Sequence, residues 1–225
     1  MKNKMIALLL MLFSITISAQ ERTENVGTFD EIKMFNGLKA QLEKSDRNDI
    51  EITGRKADDV VIKNNNGTLK LSLKITELFS QDDVKIKIYF NDAIHVLDAN
   101  EGSVIKSDDA FSQEKLTVKV QEGAYINVPI NVTHLSIKSV TGGNITINGA
   151  ATNQDVEVTT GGIYEGYDVN SEYANVVAAS GGKTEVYVTK LLDAKVRFGG
   201  NIYYKGNPDK VLEKKAIGGK IVNKE

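Results

Sequence analysis

His95 and His134 are the only histidines among the 225 residues, and the chain has no cysteine. General acid–base or metal chemistry at an imidazole needs a second group held close to it. Neither histidine lies in a spacing such as HExxH that would supply one. They stand 39 residues apart in stretches that read as strands, so each is expected to be a half-buried strand residue. Carboxylates are paired at Asp58-Asp59, Asp82-Asp83 and Asp108-Asp109. Clustered acids beside a basic residue could cleave a polysaccharide. These pairs sit in turn-like sequence with no basic partner at a telling spacing, and read as solvated turns. Without cysteine there is no disulfide, thiolate metal site or catalytic thiol. The glycines form no phosphate loop, because no Walker signature and no following helix accompany them. Nor do they match the calcium-binding nonapeptide, whose aspartate is missing after them. The expectation is no catalytic residue, no cofactor and no metal ligand.

Tyrosine is the residue type that could do something else. Six of the eight tyrosines fall in the last third: Tyr164, Tyr167, Tyr173, Tyr187, Tyr203 and Tyr204. Aromatic faces stack on sugars and anchor protein interfaces, although tyrosine is also a good strand residue. Tyr203 and Tyr204 are consecutive, so on a strand they point to opposite faces. The candidate ligand-binding residues are therefore Tyr187, Tyr203 and Tyr204, with Tyr187 one repeat before the pair.

The elements that must position them follow from a repeat. The phrases NEGSVIKS, QEGAYINV, TGGNITIN, TGGIYEGY, SGGKTEVY, FGGNIYYK and IGGKIVNK recur from Glu101 onward. Their marker glycines, Gly102, Gly123, Gly143, Gly162, Gly182, Gly200 and Gly219, are 18 to 21 residues apart. A period near twenty indicates a solenoid with one supersecondary unit per repeat. Between the glycines run alternating apolar residues, as in Leu116, Val118 and Val120 or Ala194, Val196 and Phe198, which is strand periodicity. Two positions after the marker stand Val104, Tyr125, Ile145, Tyr164, Thr184, Ile202 and Ile221, read as the inward column. One position after it stand Ser103, Ala124, Asn144, Ile163, Lys183, Asn201 and Lys220, read as the outward column. Glycine suits a corner where φ is positive or coils stack closely. The fold class is all-β, a parallel β-helix of ~19–20 residues per coil.

Residues 21–99 are strand-rich but lack this period. Asn64-Asn65-Asn66-Gly67, between VVIK and TLKLSLK, reads as a hairpin turn. This region is expected to be a mixed or antiparallel cap on the helix of residues 100–225, in one continuous domain, since an open end would expose unpaired backbone groups. Residues 1–20 read as a Sec-type signal peptide: Lys2 and Lys4, an apolar stretch from Ile6 to Ile17, then Ser18-Ala19-Gln20. No later apolar run is long enough to span a membrane as a helix. Without Lys2 and Lys4 the chain holds 26 basic against 30 acidic residues, which argues against a nucleic-acid partner.

The order FDEIKMFNGLKAQLEKSDRNDIEITG, VVIKNNNGTLKLSL, VKIKIYF, the glycine-marked coils and the closing GGNIYYKGNP and IGGKI resembles the head GIN domain of auto-transporter adhesins. These are exported β-helix proteins of the Bacteroidetes type. The resemblance runs from about Phe29 to Val222 and is most specific in GNIYYKGNP. It implies a right-handed β-helix, an adhesin-like role and no catalytic residues. The expected function is a non-enzymatic exported β-helical protein, adhesin-like or an envelope and carbohydrate-binding module. The alternatives are a polysaccharide-active enzyme on the same scaffold and a self-associating structural module. The expected partner is an envelope glycan or protein, with a homo-oligomer also open. The expected place is the periplasm, the cell surface or the medium, reached through Sec.

Overall fold

A computed structural model of the protein describes residues 21–74 and 84–225. Asp82-Asp83 and the leader-like residues 1–20 lie outside the described residues. Four long strands carry the middle of the molecule: β11 (Tyr125–Ser139), β12 (Asn144–Val158), β13 (Ile163–Ala179) and β14 (Lys183–Arg197). Each runs from one glycine corner to the next and pairs in parallel with its neighbours. Before them come β8 (Val96–Ala99), β9 (Val104–Ser107) and β10 (Phe111–Val120), and after them β15 (Asn201–Lys205), β16 (Lys210–Lys215) and β17 (Lys220–Asn223). The first half of β14 pairs with β15 and its second half with β16. The result is an all-β solenoid of about seven turns, with no α-helix among the described residues.

Two separate requirements act at the later corners, seen at Gly161 and Gly162. Gly161 has φ +72, the left-handed region, with open space where a side chain would be. Gly162 needs no unusual φ, but a Cβ there would lie 2.4 Å from the Ser139 carbonyl oxygen of the previous coil. The first glycine answers to the turn, the second to the stacking distance. The corners also bond to one another. The Gly161 amide donates to the Ser180 carbonyl, and the Ile163 amide to the Gly143 carbonyl.

This geometry corrects the column reading in the first two coils. Gly102 and Gly123 have φ of +71 and +72 and match the first glycine of the later pairs. The column shifts by one residue there: Val104 and Tyr125 pair with Asn144 on the outward side, and Ile105 and Ile126 take the inward places. Ser103 and Ala124, expected outward, are buried at the close-stacking position. Ile145, Tyr164, Thr184 and Ile202 are fully buried, as expected. Phe198, expected to share a strand face with Ala194 and Val196, is 64% exposed because β14 ends at Arg197 and Phe198 sits on the corner with φ +47.

The N-terminal region is a mixed sheet. β5 (Val60–Asn65) and β6 (Thr68–Leu73) form the expected antiparallel hairpin about Asn66 and Gly67, both at positive φ. β4 (Asp49–Thr53) lies antiparallel between β1 (Glu21–Asn25) and β7 (Lys85–Phe90). β2 (Glu31–Met34) and β3 (Lys39–Lys44) pair in parallel with β8 and β9 on one side and with β6 and β7 on the other. Asn36-Gly37 between them is thus one more corner of the stack, with φ +59 and +68.

The core is an apolar column filled from every coil, for example Leu97, Val118, Ile137, Val156, Val176 and Ala194. One buried polar chain crosses it. The Tyr164 hydroxyl donates to Gln154 Oε1 at 2.7 Å, Gln154 Nε2 donates to Ser171 Oγ at 2.9 Å, and Ser171 Oγ donates to the Tyr187 carbonyl at 2.5 Å. Loss of solvent raises the Tyr164 pKa far above its ordinary value, so this phenol remains a donor.

Candidate ligand-binding face

The groups capable of acid–base chemistry are dispersed. His95 precedes β8 and His134 lies on β11; both are exposed rather than half-buried. Asp59 pairs with Lys74 at 3.4 Å. Asp108 accepts from Gln41 at 3.0 Å, and Asp109 accepts from the Lys44 amide at 2.8 Å. These bonds brace turns. No group of three or more His, Asp or Glu residues among the described residues could hold a metal ion.

The tyrosines are organised by register. Tyr187 on β14 is level with Lys205 on β15, and Tyr203 is level with Glu185. The two rings therefore start from diagonal positions of adjacent coils on the outward face. Tyr204 points the other way and is 9% exposed, within the core cluster. Both Tyr187 and Tyr203 are half-buried.

Tyr167 joins them. The register of β13 slips between Gly166 and Asn170 against β14, so Tyr167 and Asp168 lie in a bulge. Gly166 is required beneath it, because a Cβ there would meet the Tyr164 ring at 2.5 Å. Lys205 Nζ lies 4.8 Å from the Tyr167 ring centre and Lys224 Nζ 4.9 Å from that of Tyr203. The Tyr167 phenol is pushed up to about 12, first by lost solvent and then by the charge of Glu185 and by Tyr203. Glu185 is paired with Lys183 at 2.6 Å, which raises the lysine.

A groove runs along the helix axis beside this cluster. Asn131, Ala150, Asn170 and Tyr187 lie level on four successive coils. The small Ala150 makes a dip between the two asparagines, and Tyr187 closes one end. With Thr152 and Glu172 they border a depression of about 410 Å³. Amides, hydroxyls, one carboxylate and one aromatic ring can hydrogen-bond and stack against a polar extended ligand, but this set contains no acid–base pair.

A family model described as "Putative auto-transporter adhesin, head GIN domain" matches residues 28–208. The chain belongs to this family. No curated protein matches it in sequence. Solved structures share the fold. A crystal structure described as "a putative adhesin" from Bacteroides fragilis has a TM-score of 0.82 at 18% identity, covering 92% of this chain and 98% of that one. One described as "Putative lipid binding protein" from Parabacteroides distasonis has a TM-score of 0.70 at 19% identity, with coverages of 93% and 98%. Another putative adhesin, from Parabacteroides merdae, has a TM-score of 0.67 at 20% identity, with the same coverages. No helix among the described residues is long and apolar enough to cross a membrane.

Sequence reasoning named Tyr167 without choosing it, and it missed Asn131 and Asn170. The Gly161-to-Gly181 step is one residue longer than the two steps before it, which marks the bulged coil. The asparagines reach the groove level with Tyr187 only through the strand register.

Proposed function

We propose that this head GIN protein is a non-enzymatic envelope-binding module that is exported through Sec and takes an extended glycan along the groove ended by Tyr187. The observation that carries the reading is the level column Asn131, Ala150, Asn170 and Tyr187, a polar trough with an aromatic end wall. Adjacent coils are about 4.8 Å apart, a spacing on the scale of one sugar residue, so successive coils can each meet successive units. The ammonium of Lys224 covers Tyr203, so stacking there requires that lysine to swing aside. Tyr187 and Tyr203 are the proposed anchors, and Tyr204 supports them from inside. The leader-like first twenty residues and the adhesin description of the family support export.

The test is retention and cleavage on a panel of envelope glycans and polysaccharides. Replacing Tyr187 and Tyr203 together by Ala should abolish retention on the best glycan while circular dichroism stays unchanged. Unchanged retention removes the anchors, and cleavage of the glycan removes the non-enzymatic reading.

A further inference from the structure

The corner that begins each coil puts one side chain at the surface, half-exposed at Asn36 and exposed at the others. In six coils that residue is polar: Asn36, Glu101, Glu122, Thr141, Thr160 and Ser180. In the last two it is Phe198 and Ile217, 64% and 80% exposed. The equivalence of Ile217 is set by the corner ladder, where the Gly199 amide donates to the Ile217 carbonyl as the Gly161 amide does to that of Ser180. Phe198 also holds φ +47, a left-handed conformation that a bulky L-residue rarely takes. The corner imposes this conformation in every coil, from Glu101 at φ +53 to Ser180 at φ +49, so what sets Phe198 apart is its apolar side chain in solvent.

The surroundings of this apolar pair are basic. Residues 195–224 contain eight Lys and Arg against two Asp and Glu, in a chain of net charge −2. Arg197 directly precedes Phe198, and Lys214 and Lys220 flank Ile217; all three are exposed. None of the three has an ion-pair partner among the described residues. Exposed apolar tips ringed by unpaired cations fit the interface of an anionic bilayer, where rings and branched chains enter the headgroup zone and ammonium groups meet phosphate. A second copy of the chain fits poorly. It would bring like charges together, and the last coil places exposed Glu213 and Lys215 at positions that are apolar core in β14. Charges pointing inward along an edge strand discourage edge-to-edge pairing. We propose that the Phe198–Ile217 corner docks the protein onto an anionic lipid surface.

The experiment is co-sedimentation of residues 21–225, which carry every described strand, with vesicles of phosphatidylcholine and with vesicles that also contain phosphatidylglycerol. Binding is expected to the anionic vesicles alone and should weaken as salt is raised. A variant carrying Phe198→Asn and Ile217→Ser should lower that binding by roughly tenfold or more. It should keep its fold, because Asn36 already occupies the same corner position at φ +59. Lys214→Glu with Lys220→Glu should weaken binding with the apolar pair intact. Absence of binding to anionic vesicles, or equal binding by the Phe198→Asn, Ile217→Ser variant, overturns the proposal. So does a dimer in sedimentation velocity that this same variant dissolves.

Discussion

Tyr167 is the residue whose environment can be read by titration. Burial comes first among the causes that push its phenol from 10 to about 12, and Glu185 second. A raised folded-state pKa means that the stability it contributes is complete below the ordinary value and is lost as pH climbs from 10 toward 12. An ultraviolet titration of the folded protein should show one phenol ionising near 12, and Glu185→Gln should move that step part-way down. A folded protein with no phenol step near 12 would contradict the packing of Tyr167. Single residues were legible where the column was regular. Tyr164 reads as core from its place two after a glycine pair, and it is fully buried. Gln154 was not legible as core, since it is a polar residue level with Leu135 and Ala174 whose burial depends on Tyr164 and Ser171 of β13. Phe198 was misread because strand alternation continues through the sequence after the strand has ended.

At the scale of the element, the corner separates two kinds of glycine that look alike in sequence. At Gly200 a Cβ would lie 2.2 Å from the Ala178 carbonyl oxygen and 2.3 Å from its carbon, both backbone. Neither atom can move aside without opening the ladder between coils. Gly200→Ala should therefore cost about 1–3 kcal/mol or more in chemical denaturation, as overpacking does. Gly161→Asn places a residue tolerant of φ +72 where nothing lies within 4 Å, and should cost well under 1 kcal/mol. Equal costs would mean that the two positions do not divide conformation and stacking between them. The period itself was plain in the sequence, because each coil repeats these demands. The register of the first coils was not, since Glu-Gly-Ser and Glu-Gly-Ala keep only the first glycine. In the coil at Ser103 the hydroxyl donates to the Met34 carbonyl at 3.1 Å, so a side chain is accommodated where later coils exclude one. Asn36-Gly37 reads in the sequence as a turn between strands and not as a corner of the stack, because the hairpin and β4 intervene before its coil is continued by β8 and β9.

For the whole molecule, a solenoid's stability is a sum over neighbouring coils, so the ends decide where it opens. At the N-terminal end β6 and β7 are each covered by an antiparallel partner, β5 and β4, and Ile50, Ile52 and Val60 are buried there. At the other end β16 pairs with β14 alone and β17 with β15 alone among the described strands. Five of the six β16 residues are exposed, so that strand brings its hydrogen bonds to the stack but little burial. Exchange by local opening should then be graded along the axis, from near-global protection in β12 and β13 to the weakest in β16 and β17. Hydrogen exchange followed by mass spectrometry reads this directly: peptides covering residues 210–223 should label first, and those covering 21–53 should label later. Labelling that starts instead at β1 and β4 would mean that the antiparallel sheet does not hold its end of the stack closed. A low opening cost at β16 and β17 would also leave the corner at Ile217 free to adjust to a surface while the coils behind it stay rigid.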